Sequence, residues 1–305
     1  MPKSVLLVMM KLLTVFTPTY NRAYCLKQCY NSLINQTNKA FIWLIIDDGS
    51  TDNTKELVQT WINSNIINIQ YQFQENQGMH GAHNKAYDLI KTELNVCIDS
   101  DDFMPDDAVD NIISFWNTLE NKKNIAGLIG LDAYKDRTII GQKYPVDLKK
   151  STLEDLYHKH HIPGDKKIVY RTEVVNKYPR YPLFEKERFV PLGVLYLAID
   201  KDYELMCLNE VLCIVEYMED GSSRNILKQY KRHPKGFKYA RVHNMNYSKY
   251  FKVIFKNAIH YVSHCIFLKQ WKDIFKSPKP LLTLLAVPFG IILYVYIHVK
   301  TKEAK

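Results

Sequence analysis

A chain of 305 residues with 47% apolar and 24% charged residues can bury a full core, which excludes an intrinsically disordered protein. Its net charge of +9 is uneven: residues 228–305 carry 16 Lys and Arg against two acids, whereas residues 1–227 carry 25 against 30. This basic tail holds 14 aromatic residues, which favours a lipid headgroup region as its partner, and no nucleic-acid partner is expected. The six scattered cysteines complete no zinc site and favour reduced thiols in the cytosol.

The N-terminal segment is apolar enough to suggest a signal peptide, but Lys11 interrupts it and no small-residue cleavage site follows. We therefore expect residues 1–9 to be an extension, with Met10 an equally sensible start, and the first strand to begin at residue 12. The predicted strands are 12–17, 41–46, 66–73 and 94–98, and the predicted helices between them are 23–36, 53–62 and 81–91. Continuous apolar strands separated by helices predict a parallel sheet that is covered on both faces.

Polar segments follow all four of these strands. In chain order they are "TPTYNR", "DDGSTD", "ENQGMHGAHN" and "DSDD". In open parallel sheets the ligand crevice lies beyond the carboxyl ends of the strands. The sequence therefore predicts a ligand site along this edge of the sheet.

The segment "DSDD" places three carboxylates, Asp99, Asp101 and Asp102, within four positions at the end of a buried strand. Two carboxylates about 4 Å apart repel each other by roughly 4 kcal/mol at an effective dielectric constant near 20. We therefore expect a cation among them. Mn²⁺ or Mg²⁺ is the expected cofactor, because such ions take oxygen ligands and share them with substrate phosphates. Asp47 or Asp48 could accept hydrogen bonds from a base or a ribose.

Beyond residue 120 the pattern is looser. The predicted elements there are strands at 125–131, 203–208 and 211–218, a helix at 151–158, and a loop that leads into a helix over 182–200. Ser151 and Glu154 have the spacing of a capping box and predict the start of the helix at 151–158.

Four segments, "VFTPTYNRAYCLKQCYNSLINQT", "IIDDGSTDNT", "NQGMHGAHNKAY" and "CIDSDDFMPDDAV", together resemble a family 2 glycosyltransferase of the GT-A fold. The resemblance covers roughly residues 12–225 and is densest over the first 110. It implies an α/β fold with a mostly parallel, Rossmann-like sheet flanked by helices. It also implies inverting, metal-dependent transfer of a sugar from a nucleotide-diphosphate sugar, with a UDP-sugar favoured, in the synthesis of a bacterial surface polysaccharide.

The resemblance assigns roles position by position. Asp99 and Asp101 match the family's DXD pair, with Asp101 as the main metal ligand and a catalytic residue. Asp48 matches the aspartate that contacts the base. The other positions that match donor-binding loops are Pro18, Thr19, Tyr20, Arg22, Asn76, Gly78, His80 and Asn84.

One segment departs from the family pattern. Relatives with a "FEGEKFVPE" type of segment carry a carboxylate directly after the proline, whereas "FEKERFVPLG" has Leu192 there. Inversion needs a base that takes the proton of the acceptor hydroxyl, and Glu187, Glu185 or Asp165 could serve, of which Glu187 is favoured. The alternative is a catalytically impaired protein that binds a nucleotide sugar or a glycan. A nucleotidyltransferase would share the metal, but no lysine-rich triphosphate loop is found for it.

The basic tail predicts two helices. Residues 250–271 form a helix that either contacts lipid or packs on the catalytic domain, and residues 281–299 contain no Asp, Glu, Lys or Arg. The second run just reaches the roughly 20 residues that span hydrocarbon. Lysines flank both of its ends, so a span and a helix lying in the membrane interface both stay open.

The predicted division is a GT-A domain at 10–227 and a membrane-associating helical tail at 228–305. Within the domain, residues 10–120 form the nucleotide-sugar half and residues 121–227 the acceptor half. The expected location is the cytoplasmic face of the plasma membrane, peripheral or single-span, which suits a glycan or lipid-linked saccharide acceptor.

Overall fold

The computed structural model describes residues 12–216 and 225–302. In these ranges the strands are β1 Leu13–Thr19, β2 Phe41–Asp47, β3 Ile69–Phe73, β4 Leu94–Cys97, β5 Ile125–Ala133, β6 Lys150–Ser151, β7 Lys166–Arg171 and β8 Glu204–Ile214. The helices are α1 Ala23–Ile34, α2 Thr54–Ser64, α3 Met79–Leu89, α4 Ala108–Asn117, α5 Leu153–His158, α6 Thr172–Val175, α7 Gly193–Asp200, α8 Ile226–Arg232, α9 Pro234–Tyr247, α10 Phe251–Phe267 and α11 Pro280–Lys300. A 3-10 helix, Trp271–Lys276, connects α10 to α11.

The strands form one mixed sheet in the order β3-β2-β1-β4-β7-β5-β8-β6. Strands β3, β2, β1 and β4 are parallel, β7 runs antiparallel to both β4 and β5, and β5 pairs in parallel with β8. The short strand β6 closes one edge in antiparallel pairing with β8. The predicted α/β fold with a mostly parallel sheet flanked by helices is confirmed.

The sheet is buried because helices cover both of its faces. Every residue of β1 is buried, as the continuous apolar run predicted. Helices α1, α2 and α4 cover one face through Leu26, Val58 and Trp116, which join one core cluster. Helices α3 and α7 cover the other face through Ala86 and Ile199, which join a second cluster. The polar loops at the carboxyl ends of the strands therefore extend from a rigid layer.

The elements predicted in the first hundred residues are all present, with their bounds within three residues of those predicted. Two later predictions are wrong. The helix predicted at 151–158 begins at Leu153, where Thr152 accepts a hydrogen bond from the Asp155 backbone N–H, so Ser151 and Glu154 do not form a capping box.

The strands predicted at 203–208 and 211–218 are the second error, since they are the single strand β8. Register shifts in the pairing of β5 with β8 absorb the interruption in its apolar pattern. The end of the strand predicted at 211–218 and the alternative start at Met10 lie outside the described residues.

The basic tail folds into a helical layer with its own core. The C-terminal half of α10 is buried between neighbouring helices, and Tyr261, Val262 and Cys265 pack with residues of α9 and α11. The helix predicted at 250–271 therefore has most of its buried surface within the tail. Helix α11 confirms the predicted apolar helix at 281–299, although Pro288 lies inside it.

The tail is attached to the sheet domain at both ends of α9. At its start, the backbone N–H groups of Lys235 and Gly236 donate to the carboxylate of Glu187. Just beyond its end, Lys249 forms a 2.7 Å ion pair with Asp155 of α5.

Candidate active site

Hydrogen bonds tie the first two polar loops together at the carboxyl edge of the sheet. Asn21, which has a left-handed backbone (φ 52°), donates its N–H to Ser50 Oγ at 2.9 Å. Its side-chain oxygen accepts from the Thr51 N–H at 2.7 Å. Asp52 accepts from Ala23 N–H of α1 and Thr54 N–H of α2. The two helix starts and their loops therefore form one connected unit. The position of Asp52 before the helix at 53–62 predicts its contact with the start of α2, whereas the Asn21 contacts and the Asp52–Ala23 contact were not predicted from the sequence.

Asp47 and Asp48 are both buried and both already have protein partners. Asp47 accepts from the Ser50 N–H at 2.7 Å and from the Tyr71 hydroxyl at 2.6 Å. Burial raises the pKa of Asp48, and hydrogen bonds from the loop after β3 partly offset this effect. The donors to Asp48 are the Gln77 N–H at 2.9 Å, the Gly78 N–H at 2.7 Å and the Gln74 side-chain amide at 2.6 Å. The arrangement makes Asp48 the residue that holds the third loop against the second.

The three acids of "DSDD" lie in two different environments. Asp99 and Asp101 are half-buried at the rim, whereas Asp102 is buried. Asp102 accepts the Glu216 N–H at 3.1 Å and the Cys213 thiol at 3.6 Å, and so ties the loop after β4 to β8. Asp102 thus has a structural role, and Asp99 and Asp101 are the pair left at the edge of the sheet.

A lysine from the chain itself lies among these acids. Lys167 of β7 is nearly buried, and its ammonium group lies 4.0 Å from Asp102 Oδ2. Burial by itself would lower the pKa of Lys167, but nearby Cys213, Asp132 and Asp102 raise it well above its ordinary value. Burial raises the pKa of Asp102 to about 7 and that of Asp132 to about 6, and in both Lys167 counteracts the rise. Lys167 was not among the residues predicted from the sequence, where the only signal was a lysine within the strand "KKIVYR".

A cavity of about 120 Å³ adjoins Asp99 between β4, β7, α3 and α7. Its wall includes Asp99, Lys167, Tyr196 and Leu192, the position at which relatives with the "FEGEKFVPE" segment carry a carboxylate. Leu192 therefore faces the same space as the acid rim. Burial lowers the pKa of His83, which also lines this cavity, to about 4, so its ring is neutral at neutral pH.

The three carboxylates considered as a base have different surroundings. Glu187 is buried and its two oxygens accept the Lys235 and Gly236 N–H groups at 3.0 and 2.9 Å, so it caps the start of α9. Glu185 is exposed and 3.8 Å from Lys186. Asp165 is exposed and directly precedes Lys166 and Lys167 of the cavity wall; its charge contributes to the raised pKa of Asp132.

The remaining predicted donor-binding residues differ in their surroundings. Asn84 is occupied, because its side-chain amide donates to the Tyr181 carbonyl and accepts the Tyr181 N–H, both at 2.8 Å. Tyr20 is 48% exposed at the end of β1, where an aromatic ring is available to a ligand. Others lie in the connected loops. They are Pro18 and Thr19 at the end of β1, Arg22 before α1, and Asn76 and Gly78 in the third loop.

Several buried polar atoms near this edge have no hydrogen-bond partner within residues 12–216 and 225–302. They include Thr19 Oγ1, both ring nitrogens of His80 and Asp132 Oδ1. Buried polar groups are normally hydrogen-bonded, so these atoms could accept or donate to a polar ligand at this edge. Burial lowers the pKa of His80 to about 4, leaving a neutral ring with one donor and one acceptor.

The donor set fits a divalent ion that is shared with a substrate. Within the described residues, no group of three or more His, Cys, Asp or Glu side chains is arranged to hold a metal ion. Asp99 and Asp101 offer carboxylate oxygens, and Mg²⁺ is commonly held by one or two carboxylates together with substrate phosphates. These two residues could therefore hold a metal that arrives with a diphosphate.

A parallel half-sheet with polar loops at its carboxyl edge, continued by an antiparallel strand and a second half, is the arrangement of GT-A-type proteins. A family model, Glycosyl transferase family 2, matches residues 14–178, more than half of the chain. The chain belongs to this family.

Curated relatives match parts of the chain. An uncharacterized glycosyltransferase of Nostoc sp., alr2836, is 28% identical over 170 residues, which cover 54% of this chain and 52% of that protein. A chondroitin synthase of Escherichia coli is 34% identical over 99 residues, covering 32% of this chain and 14% of that protein. The chain thus spans about half or less of the length of these relatives.

Solved structures share the fold over nearly the whole chain. The S. aureus TarS fragment 1–349, in complex with UDP-GlcNAc, has a TM-score of 0.62 at 16% identity, covering 94% of this chain and 90% of that chain. The mannosyltransferase PcManGT from Pyrobaculum calidifontis, in complex with GDP-Man and Mn²⁺, has a TM-score of 0.56 at 17% identity, covering 95% and 83%. These likenesses establish the GT-A-type fold.

Proposed function

We propose that the chain transfers a sugar from a nucleotide-diphosphate sugar to a glycan or lipid-linked saccharide, with inversion and with a divalent metal, in surface polysaccharide synthesis. The observation that carries the proposal is the division of the acid loop. Asp102 is turned inward toward Lys167, while Asp99 and Asp101 stay at the rim, at the edge where the three connected loops lie. The two rim carboxylates share this edge with polar atoms of Thr19 and His80 that have no hydrogen-bond partner among the described residues. Such an edge is suited to a ligand that carries both a diphosphate and hydroxyl groups.

Asp99 and Asp101 would hold Mn²⁺ or Mg²⁺, with Asp101 as the main ligand. When bound, the ion would offset the negative charge that develops on the leaving diphosphate. Asp48 keeps the third loop in place, and Tyr20 and Thr19 present a ring and a hydroxyl to the donor. We propose a UDP-sugar as donor. The TarS and PcManGT complexes contain UDP-GlcNAc and GDP-Man, so the identity of the donor's nucleobase is left to be tested.

In the proposed reaction the acceptor oxygen attacks the anomeric carbon, the bond from that carbon to the diphosphate oxygen breaks, and the nucleoside diphosphate leaves. The acceptor proton passes to a carboxylate. Glu187 already accepts two backbone N–H groups, which makes it the weaker candidate. We propose Asp165, an exposed acid that directly precedes Lys166 and Lys167 of the cavity wall. A positioned base contributes about 10²–10⁴-fold to the rate, so Asp165→Asn is expected to slow turnover by at least about 100-fold.

The test is release of nucleoside diphosphate from a panel of nucleotide sugars with Mn²⁺. We expect steady release that Asp101→Asn abolishes. Asp106→Asn is the matched control, because Asp106 is an exposed acid a few residues along the same segment. Release that is equal in Asp101→Asn and in the wild type would contradict the proposal.

The second candidate is an impaired nucleotide-sugar-binding or glycan-binding protein, favoured by Leu192 in the cavity wall. Such a protein would bind a donor in the presence of Mn²⁺ and release no nucleoside diphosphate. In that case Leu192→Glu, but not the uncharged Leu192→Gln, is expected to start turnover by supplying a carboxylate to the cavity.

We further propose the division into a GT-A domain at 10–227 and a tail at 228–305 that associates with the cytoplasmic face of the membrane. The separate core of the tail helices and the exposed apolar residues of α11 support it. One helix among the described residues, Pro280–Lys300, is long and apolar enough to cross a membrane by length and composition.

A further inference from the structure

One face of α11 is exposed and entirely apolar. We define the α11 stripe by its exposed large apolar side chains, which are 42–79% exposed: Leu281, Leu284, Leu285, Phe289, Ile291, Ile292, Val295, Tyr296 and Val299. Their spacing of three and four residues places them along one side of a helix about 32 Å long. Soluble proteins rarely expose a continuous apolar surface of this length, so the stripe indicates an apolar partner.

The opposite face of α11 is occupied by protein. Gly290 lies so close to α10 that a Cβ atom there would be 2.5 Å from Val262 Cβ. The rings of Tyr294 and Phe267 pack edge to face with centroids 4.7 Å apart. Helix α11 therefore lies against α10 as part of the helical layer.

Helix α10 is not suited to hydrocarbon. Asn257 accepts hydrogen bonds from Arg241 and Asn244 of α9, and Lys252 and Lys256 are exposed on α10 itself. A charged side chain at the centre of a bilayer costs at least about 2.5 kcal/mol on insertion scales. If α11 crossed the bilayer while packed against α10, the lysines and the Asn257 hydrogen bonds of α10 would be drawn into the hydrocarbon.

Both ends of α11 are basic. Lys276 and Lys279 precede it, Lys300 is its last residue, and Lys302 follows it. Trp271 and Phe275 are exposed in the 3-10 helix just before it. A helix that lies in one leaflet places both ends at the headgroup level, where lysines attract anionic lipid and aromatic rings are favoured.

We propose that α11 lies in the plane of one leaflet of an anionic bilayer, with the α11 stripe inserted among the lipids and α10 above it, and does not span the membrane. The inference rests on the membrane partner proposed above and not on the transfer reaction. Of the two orientations that the sequence left open, a span and a helix in the membrane interface, the second is the one proposed. Lipid fits this surface because the stripe is continuous over the whole helix and is flanked by positive charge at each end.

Binding is tested with the full chain and sedimented vesicles of phosphatidylcholine, with and without 30% phosphatidylglycerol. We expect Ile292→Glu and Leu285→Glu to weaken binding to the anionic vesicles by at least tenfold. Val146→Glu is the matched control, because Val146 is an apolar residue that is 85% exposed in the sheet domain, and it is expected to bind within twofold of the wild type. Unchanged binding by both stripe variants would overturn the proposal.

Orientation is tested with tags at both termini of the full chain in inverted membrane vesicles. An in-plane helix leaves both tags open to added protease and lets alkaline carbonate release the protein. A protected C-terminal tag would show a span and would overturn the proposal. So would a dimer that Ile292→Glu converts to a monomer without loss of vesicle binding, since the stripe would then contact a second copy. Donor-hydrolysis activity is measured in parallel, so that loss of membrane binding and loss of transfer are told apart.

Discussion

At the scale of single residues, the acid loop after β4 is stabilised by a cation that the chain itself supplies. Lys167 lies 4.0 Å from Asp102 and holds down the pKa of both Asp102 and Asp132. The repulsion expected from three neighbouring carboxylates is thus relieved in two ways. Asp102 is paired inside the protein with Lys167, and Asp99 and Asp101 lie half-buried at the rim, apart from Asp102.

Lys167→Met should destabilise the protein more at pH 8 than at pH 5. Burial raises the folded-state pKa of Asp102 to about 7 and of Asp132 to about 6, so the stability they contribute is present below their unfolded pKa near 4 and is lost as the pH rises through 6–7. Without Lys167 the pKa values of both aspartates rise further. A further rise of one to two pKa units increases the loss in the free energy of unfolding at high pH by roughly 2 kcal/mol. Urea unfolding at pH 5, 6, 7 and 8 measures the difference.

The control for this prediction is Lys150→Met, which removes an exposed ion pair with Glu204 and should cost about 0–1 kcal/mol at every pH. Equal destabilisation of Lys167→Met at pH 5 and pH 8 would contradict the pairing of Lys167 with the two aspartates.

Glu187→Gln should affect stability more than turnover. The carboxylate accepts the first free N–H groups of α9, and a glutamine would turn its NH₂ group toward one of them. We expect a loss of about 1–2 kcal/mol in the free energy of unfolding, with turnover within about threefold of the wild type. Paired unfolding and donor-hydrolysis measurements check this. Turnover slowed by about 100-fold or more without loss of stability would restore Glu187 as the base.

At the scale of elements, the close approach of α10 and α11 fixes the helical layer. Gly290 allows it, because any side chain there would meet Val262 and the Ile259 carbonyl. The same packing leaves only one face of α11 exposed. The tail is held to the sheet domain through Glu187 at the start of α9 and Asp155 near its end.

Gly290→Ala should destabilise the tail, although alanine is the better helix former. The added Cβ forces α10 and α11 apart, which typically costs about 1–3 kcal/mol. Val262→Ala should be partly rescued by Gly290→Ala, since the two side chains compete for one space. Gly193→Ala is the control, because a Cβ there meets nothing within 4 Å, and thermal unfolding of the four variants should show the non-additivity.

At the scale of the whole molecule, four loops from four strands must be in place together to form the site. Hydrogen bonds from Asn21 join the first loop to the second, and those to Asp48 join the second to the third. A ligand that contacts several loops therefore binds only the folded chain and should stabilise all of it.

A nucleotide sugar with Mn²⁺ is expected to raise the melting temperature, and the same sugar with EDTA to raise it much less. A ligand at 100 times its Kd contributes about 2.7 kcal/mol, which is several degrees for a chain of this size. Asp101→Asn should lose the Mn²⁺-dependent part. A thermal-shift series over nucleotide sugars makes the measurement, and equal shifts with Mn²⁺ and EDTA would contradict a shared metal.

The sequence by itself determined the architecture of the first hundred residues and the edge at which the polar loops meet. It could do so because apolar runs and helical periodicity are local properties, and because parallel strands bring their carboxyl ends to one side. It also identified the α/β family 2 pattern and the apolar helix at 281–299.

Only the tertiary structure decided what each polar group faces. Lys167 pairs with Asp102, 65 positions away in sequence, and Glu187 accepts hydrogen bonds from the start of α9. The side chain of Asn84 hydrogen-bonds to the Tyr181 backbone, and two predicted strands are the single strand β8. Packing against α10 likewise decided which face of α11 is covered. These are contacts between segments distant in the chain, and their partners are set by how the layers pack, which no local pattern of residues encodes.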